Sequence, residues 1–352
     1  MSALPERTDV LVIGGGVIGT SIACHLGAAG VGTVLLERGM LGSGASAATA
    51  GVLRTYFPGA AATGGLAVRS LAAYHGFAER TGTPLGLRRV GFLVLFTEDH
   101  QVAEFRREQA AQRAAGVEIE LVSASEAAQL NPLLDVRAVV AAAWSSQAYA
   151  CDPLAIVRGY AAAAQDAGAM LRTETPVLGI EPDGRVHTPV GSIRADTVVC
   201  AAGPWAGAVA ALAGVDLPVT TYPIELLLTD PPAAPLTTVP MTLHAATGLR
   251  IRAWRDRVLV GMGVPDSGES RADWLGRLAK QLGDTYPALA GTRLHRGWSG
   301  PLDASADGSA VIGRAPARPF LYAAGFSGQG VCQAPAAGEI VRDLLAEGKG
   351  LS

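Results

Sequence analysis

The stretch Asp9-Val10-Leu11-Val12-Ile13-Gly14-Gly15-Gly16-Val17-Ile18-Gly19 decides the fold of the N-terminal part of the chain. An apolar strand runs directly into glycines at GxGxxG spacing, and a helix over about residues 17–29 follows. Gly14 permits the tight turn, Gly16 lets the backbone approach a pyrophosphate, and Gly19 lets the helix pack on the strand. The N-terminal amides of the helix and its dipole then face the phosphates.

A second apolar strand, Thr33 to Leu36, ends at Glu37. An acidic residue at the end of this strand can accept both hydroxyls of an adenosine ribose. The pattern therefore predicts a Rossmann-like domain that binds a dinucleotide. The alternative is a glycine-rich turn in another kind of α/β protein.

Composition narrows the classes of partner. The chain has 352 residues, which is enough for two domains, and a net charge of −3. No basic run points to nucleic acid or to an anionic membrane surface. The N-terminus lacks the pattern of a secretory signal, and no apolar run is long enough to span a membrane, so we expect a soluble, cytoplasmic protein. The 4 cysteines are scattered without a CxxC pair, so we expect neither a metal site nor a disulfide framework.

Three further segments place small residues where backbone could contact a cofactor. Residues 42–51 are small or hydroxylic and lead into Val52-Leu53-Arg54-Thr55-Tyr56-Phe57; residues 200–205 form a second strand–glycine–helix junction; and Gly325-Phe326-Ser327-Gly328-Gln329-Gly330 precedes a final helix over about residues 331–347. Such segments suit backbone that lies closely against a flat or phosphorylated ligand. For the first segment, the alternative is a glycine-rich connecting loop.

Together these blocks resemble the FAD-dependent amino-acid and amine oxidase family (the DAO family), which contains D-amino acid, glycine and sarcosine oxidases. The likeness is greatest to the sarcosine oxidase β-subunit and dimethylglycine dehydrogenase type. It is carried by Gly51-Val52-Leu53-Arg54, by residues 196–205, and by Trp298-Ser299-Gly300 through residues 325–330. The C-terminal block is the most specific, because a nicotinamide enzyme has little use for its glycine pattern.

The resemblance implies an α/β + β architecture. It is a Rossmann-like FAD-binding domain of the glutathione-reductase type, interleaved with an antiparallel β-sheet substrate domain. We expect residues 1–84, 146–214 and 296–352 in the FAD-binding domain, and residues 85–145 and 215–295 in the substrate-binding domain.

The resemblance also implies FAD, bound noncovalently, because Ala47-Ala48 and Gly300 stand where covalent members use His or Cys. The cofactor contacts that it implies are Gly14, Gly16, Val17, Ile18, Gly19, Glu37, Arg38, Gly44, Ala45, Ser46, Gly51, Val52, Val177, Ala202, Gly203, Trp205, Gly300, Gly325, Phe326, Ser327, Gly328, Gln329, Gly330 and Val331.

The implied reaction is oxidation of the C–N bond of an amine or amino acid, with hydride transfer to the flavin and an imine product. Leu302 stands where glycine oxidases carry the arginine that binds the substrate carboxylate, whereas Arg54 matches the sarcosine-type arginine. A secondary or cyclic amine is therefore favoured over glycine. The alternative for Arg54 is an arginine in a surface ion pair.

Further candidate catalytic residues surround this anchor. Arg250 and Arg252 alternate with Ile251 on a predicted strand and so share one face, which is either the active-site face or a solvated one. Arg250 falls near the position of a family lysine. The remaining candidates are Tyr56 as a wall of the substrate cavity, His244 as a proton shuttle unless it is structural, and Gln329, which stands where the family often has His.

The electron acceptor stays open in the sequence. Oxygen, giving H2O2, is the favoured acceptor, because Arg250 could supply a fixed cation for the negative charge that develops on oxygen. The alternatives are a carrier-linked dehydrogenase and a noncatalytic FAD-binding subunit of a larger complex. A homo-oligomer or a partner subunit is compatible with each of these.

Overall fold

A computed structural model of the protein describes residues 4–316 and 318–348. Its strands are β1 (Arg7–Ile13), β2 (Thr33–Leu36), β3 (Val52–Arg54), β4 (Arg88–Arg89), β5 (Phe92–Phe96), β6 (Glu120–Ser123), β7 (Ala141–Ser145), β8 (Ala148–Ala150), β9 (Met170–Arg172), β10 (Gly179–Ile180), β11 (Arg185–Thr188), β12 (Gly191–Cys200), β13 (Val219–Thr229), β14 (Met241–His244), β15 (Leu249–Trp254), β16 (Arg257–Met262), β17 (Leu294–Ser305), β18 (Val311–Arg314) and β19 (Phe320–Ala324).

The α-helices are α1 (Val17–Ala28), α2 (Ala61–His75), α3 (Phe77–Thr81), α4 (Asp99–Ala114), α5 (Ala124–Leu130), α6 (Pro153–Asp166), α7 (Ala206–Leu212), α8 (Arg271–Thr285) and α9 (Gly330–Gly348). Short 3-10 helices cover Val136–Ala138, Gly203–Trp205 and Pro287–Leu289.

The first sheet carries the dinucleotide fingerprint. Its parallel core has the order β9-β2-β1-β12-β19, with β18 antiparallel at one edge and the β10–β11 hairpin along the first half of β12. Val10 and Val12 of β1 face the helices α1, α6 and α9, whereas Leu11 and Ile13 face α7 and the hairpin. Because both faces of the sheet are covered, residues 10–13 of β1 are all apolar and do not alternate with polar residues.

The second sheet has the order β17-β13-β16-β15-β14-β5-β7-β6 and is antiparallel except for the β5–β14 pair. One face packs on α8 through residues such as Leu93 and Ile251. The other face carries Phe92 and Val94, which pack against α4. A small third sheet, β3-β8-β4, connects the two layers.

The predicted architecture is confirmed, and the first sheet takes its strands from three separated stretches of sequence. We keep the predicted domain borders as a proposal. Strand β17 extends across the border proposed at residue 296. It pairs with β13 along the whole of both strands.

Candidate active site

A cavity of about 630 Å³ lies between the two large sheets. The turn after β1, the segment that follows Glu37, and the start of α9 line it from the side of the first sheet. Strands β13, β15 and β17 line it from the second sheet. The cavity thus joins the dinucleotide fingerprint to two of the arginine candidates, Arg54 and Arg250.

The fingerprint glycines have the geometry that their spacing requires. Gly14 has φ 115°, and a methyl group on it would overlap the carbonyl oxygen of Ala201. A methyl group on Gly19 would overlap the carbonyl oxygen of Gly14, so α1 can pack against the strand only with glycine there. Ser46 Oγ accepts a hydrogen bond from Val17 N at 3.0 Å, which fastens the segment after Glu37 to the start of α1.

Glu37 and Arg38 line the same cavity as Arg54 and Arg250. The Glu37 carboxylate accepts hydrogen bonds from Gly15 N at 2.7 Å and Gly39 N at 2.8 Å, so it is fixed in place and retains lone pairs for a ligand. The Arg38 guanidinium stacks over the Trp205 ring at 3.7 Å. Both side chains of this stack line the cavity.

The C-terminal glycine block is organised by Asp303. The buried Asp303 carboxylate accepts hydrogen bonds from Gly325 N at 2.6 Å and Phe326 N at 3.2 Å, and its carbonyl accepts one from Ser327 N at 3.0 Å. Helix α9 begins directly after this turn, at Gly330. Its N-terminus therefore faces the cavity and stabilises negative charge there.

Arg54, at the end of β3, lies in the cavity and stacks on aromatic rings. Its guanidinium lies 4.0 Å from the centre of the Phe57 ring and 4.9 Å from that of Phe92. Arg54 Nη1 donates a hydrogen bond to the Tyr56 carbonyl at 2.7 Å. Burial lowers the pKa of Arg54 to about 10, and the charge of Arg250 acts in the same direction. The residue is still a cation at neutral pH.

Arg250 and Arg252 extend from the same face of β15, opposite Ile251, which packs on α8. Of these two arginines, Arg250 alone lines the cavity, and its side chain is exposed. Arg252 is buried; its Nη1 donates to the Gly51 carbonyl at 3.3 Å, and its guanidinium lies 4.6 Å from the Trp254 ring centre. The backbone of Gly51 blocks Arg252 from the cavity, so a catalytic role for Arg252 is not supported.

Tyr56 and His244 do not line the cavity. Tyr56 is fully buried against Phe92 and Phe105, and its hydroxyl donates to Glu108 at 2.7 Å. The Tyr56 hydroxyl is therefore bound to Glu108 of α4. His244 is buried at the end of β14, where burial lowers its pKa, and the structure does not bring it to the cavity.

Most of the predicted cofactor contacts come together. Those that line the cavity are Gly14, Gly16, Val17, Ile18, Glu37, Arg38, Gly44, Ala45, Ser46, Val52, Val177, Ala202, Gly203, Trp205, Phe326, Ser327, Gly328, Gln329, Gly330 and Val331. Four of the predicted contacts do not line the cavity themselves, although each is next in sequence to a residue that does: Gly19, Gly51, Gly300 and Gly325. Gly300, for example, leaves room for Ala48, which does line the cavity.

Sequence reasoning missed several residues of the site. Asp303, Met241 and Cys332 line the cavity, and Glu108 holds the loop beneath Arg54. Cys332 lies one turn into α9, and its thiol donates to the Val52 carbonyl at 3.5 Å. Burial raises the pKa of this thiol. No local signal marks Asp303, because it lies 22 residues before Gly325 and meets the glycine block only in the folded chain.

Two classes of feature are absent from the described part of the chain. Residues 4–316 and 318–348 contain no group of His, Cys, Asp and Glu side chains that could hold a metal ion. None of their helices combines the length and apolar character needed to cross a membrane.

Comparison with known proteins identifies the family. The family model described as "FAD dependent oxidoreductase", the DAO family, matches residues 9–344. The chain belongs to this family. It is 31% identical to a glycine oxidase of Geobacillus kaustophilus over 361 residues, which cover 97% of this chain and 94% of that protein.

Two further relatives extend the picture. Mitochondrial dimethylglycine dehydrogenase of Mus musculus is 28% identical, and the match covers 98% of this chain but only 43% of that longer protein. The crystal structure of L-proline dehydrogenase from P. horikoshii has a TM-score of 0.89 at 29% identity, and covers 98% of this chain and 95% of that one.

FAD is the cofactor of this family, and the residues of the cavity fit it. The fingerprint turn and α1 suit the pyrophosphate, and the fixed Glu37 carboxylate suits the adenosine ribose. The N-terminus of α9 suits the end of the isoalloxazine ring that becomes negative on reduction.

Proposed function

We propose that the protein oxidises the C–N bond of a secondary or cyclic amine that carries a carboxylate. The observation that carries this proposal is the placement of Arg54 and Arg250 in the cavity that also holds the dinucleotide fingerprint. A substrate bound at these arginines would lie beside the C-terminal glycine block, where the family places its flavin.

Arg54 anchors the substrate carboxylate in this proposal. A guanidinium fork matches a carboxylate through two parallel hydrogen bonds. The hydrogen bond to the Tyr56 carbonyl and the stack on Phe57 fix the fork in one orientation. A fixed anchor positions the carbon next to the amine and so lowers the entropic part of the barrier.

The other walls exclude water and favour the neutral amine. Ile224, Leu226, Met241 and Leu302 line the cavity with apolar surface. FAD, when bound, accepts a hydride from the carbon next to the amine nitrogen. The cavity contributes orientation and desolvation, and the arginines disfavour a protonated amine near them.

Oxygen is the acceptor that we propose, because Arg250 keeps a cation on the cavity wall. The second candidate is a dehydrogenase that passes electrons to a carrier. Similarity to an L-proline dehydrogenase and a dimethylglycine dehydrogenase favours this second candidate.

Anaerobic mixing of the flavoprotein with a panel of compounds tests the proposal. The panel contains secondary and cyclic amino acids, glycine, amines without a carboxylate, and 2-hydroxy acids. We expect fast bleaching of the flavin by the secondary or cyclic amino acids and slow bleaching by the rest. Bleaching by hydroxy acids with no response to any amine would overturn the proposal.

A further inference from the structure

The part of the cavity that Arg54 and Arg250 line carries more positive charge than one carboxylate can neutralise. Arg54 and Arg250 both line it, and they are close enough that the charge of Arg250 lowers the pKa of Arg54. The two carboxylates of the cavity, Glu37 and Asp303, are engaged with backbone amides instead. The described residues that line the cavity therefore supply no counter-ion for this pair of cations.

The hydrogen-bonding capacity of both guanidiniums is largely unused. Arg54 donates one hydrogen bond, to the Tyr56 carbonyl, out of the five N–H groups of a guanidinium. Within residues 4–316 and 318–348, the Arg250 guanidinium makes no hydrogen bond or ion pair. Two like charges that line one cavity repel each other, so an anionic ligand at each arginine would be stabilising.

We propose that the substrate is an amino dicarboxylate, in which Arg54 holds one carboxylate and Arg250 holds a second one. The second carboxylate lies on the substituent of the nitrogen or on the side chain of the amino acid. The inference rests on the proposed function, since it names the substrate class of the same site.

The surroundings of Arg250 favour a charged group over a neutral one. Ile224, Leu226 and Met241 line the same cavity with uncharged side chains, and Leu302, whose side chain lies against Gly328, adds further apolar surface. A substrate with an apolar substituent would leave Arg250 unpaired in this setting. A carboxylate would pair with it through two charge-assisted hydrogen bonds.

Matched substrates test the inference in the FAD-loaded protein. N-(carboxymethyl)glycine and its monoamide have nearly the same shape and differ by one negative charge. Under anaerobic conditions we expect the dicarboxylate to reduce the flavin with a rate-to-affinity ratio higher by roughly 10- to 100-fold. Equal ratios for the two compounds, or for N-methylglycine, would overturn the inference while leaving the proposed function intact.

Two variants assign the preference to Arg250. Arg250→Met should abolish the preference for the dicarboxylate, so that the dicarboxylate and the monoamide give equal rate-to-affinity ratios in this variant. Arg293→Met removes an exposed arginine next to β17 of the same sheet and should keep the preference. A preference that survives in Arg250→Met would refute the role of Arg250.

Equilibrium binding gives a readout that needs no turnover. Thiodiacetate replaces the amine nitrogen by sulfur and offers no C–N bond to oxidise, and its monoamide is the matched control. Calorimetric titration should show tighter binding of the dicarboxylate by a similar factor in the unmutated protein and no difference in Arg250→Met. If no amine of any kind reduces the flavin, the proposed function fails, whatever this titration shows.

Discussion

Arg54 is supported by protein groups that fix its position without neutralising its charge. Its guanidinium stacks on Phe57 and donates to the Tyr56 carbonyl. The loop that carries both of these residues is fastened to α4, since Glu108 accepts hydrogen bonds from the Tyr56 hydroxyl and from Gly59 N. The order of Arg54, the proposed substrate anchor, therefore depends on Glu108, a carboxylate that does not line the cavity.

Tyr56→Phe tests this support at the scale of one hydroxyl. Loss of the hydrogen bond to the Glu108 carboxylate should lower the free energy of unfolding by about 1–2 kcal/mol. Because the loop beneath Arg54 loosens, KM for a carboxylate substrate should rise more than kcat falls. Urea denaturation and steady-state kinetics measure the two effects.

Tyr286→Phe is the matched control, because the hydroxyl of this fully buried tyrosine has no hydrogen-bond partner in the described residues. This variant should be neutral or slightly stabilising, with unchanged kinetics. A Tyr56→Phe protein that is as stable as Tyr286→Phe and has an unchanged KM would contradict the support that we assign to Glu108.

Sequence reasoning at this scale succeeded where the role of a residue follows from its own segment. Gly14, Gly19 and Glu37 have the geometry predicted for the fingerprint, since strand, turn and helix are local. It could not separate Arg250 from Arg252, because both extend from one strand face. The distinction comes from the Gly51 carbonyl, which meets Arg252 from a segment about 200 residues away along the chain.

At the scale of elements, close contact between α1 and α9 joins the two ends of the chain. Gly338 of α9 lies against Ser21 and His25 of α1. Ser21 Oγ also donates to the Ala334 carbonyl at 2.7 Å. Since these helices begin at the fingerprint turn and at the C-terminal glycine block, their spacing sets the distance between the two ends of the cofactor site.

Gly338→Ala tests this contact. A methyl group at this position would lie 2.7 Å from Ser21 Oγ and closer still to the His25 ring, so we expect a loss of about 1–3 kcal/mol in the free energy of unfolding. We also expect weaker retention of FAD, because the helices must separate. Urea denaturation and dialysis against FAD-free buffer measure these changes.

Gly276→Ala provides the control for helix propensity. Gly276 lies on the exposed face of α8, and a methyl group there would meet no other atom within 4 Å. The same substitution should therefore stabilise the protein by about 0.5–1 kcal/mol, since alanine is the better helix former. If both variants shift stability in the same direction, close packing at Gly338 is not the cause.

The elements themselves were predicted well where the apolar pattern is strong. Strand β2 has the predicted bounds, and α1 and α9 end within one residue of theirs. The sequence pattern also predicts one helix over about residues 66–80, whereas the structure has two, α2 and α3, which break at Gly76. Helix α2 begins earlier than predicted, at Ala61, because tertiary packing on α9 stabilises a run of alanine and glycine with little amphipathic signal.

At the scale of the whole molecule, the cofactor cavity is assembled from segments that are far apart in sequence. The turn after β1, the junction after β12 and the start of α9 all contribute to it. The resemblance to a known family supplied this assembly in advance, because nothing local in the sequence places the three segments together. Which side chains reach the cavity depends on the second sheet, whose pairings are almost all long-range.

We expect FAD to be attached noncovalently, and this expectation concerns the whole assembly. Ala48 and Gly300 leave no nucleophile at the positions where covalent family members carry one, and Cys332 is the cysteine that lines the cavity. Burial keeps the Cys332 thiol protonated, so we expect acid precipitation to release yellow flavin into the supernatant. Colour that stays with the pellet, and is lost in Cys332→Ala, would show a covalent bond to this thiol.

The choice between oxidase and dehydrogenase depends on how the cavity treats oxygen once product has left. Negative charge develops on oxygen as the first electron is transferred, and a fixed cation stabilises it. Arg250 stays charged when desolvated and lies on the cavity wall.

In Arg250→Met we expect the reaction of the reduced, product-free protein with oxygen to slow by at least about 10-fold. Anaerobic reduction by a monocarboxylate amine should change much less, and Arg293→Met should react with oxygen normally in stopped-flow measurements. An unchanged oxygen rate in Arg250→Met would remove Arg250 from this role, whereas very slow reoxidation of the unmutated protein would identify a carrier-linked dehydrogenase.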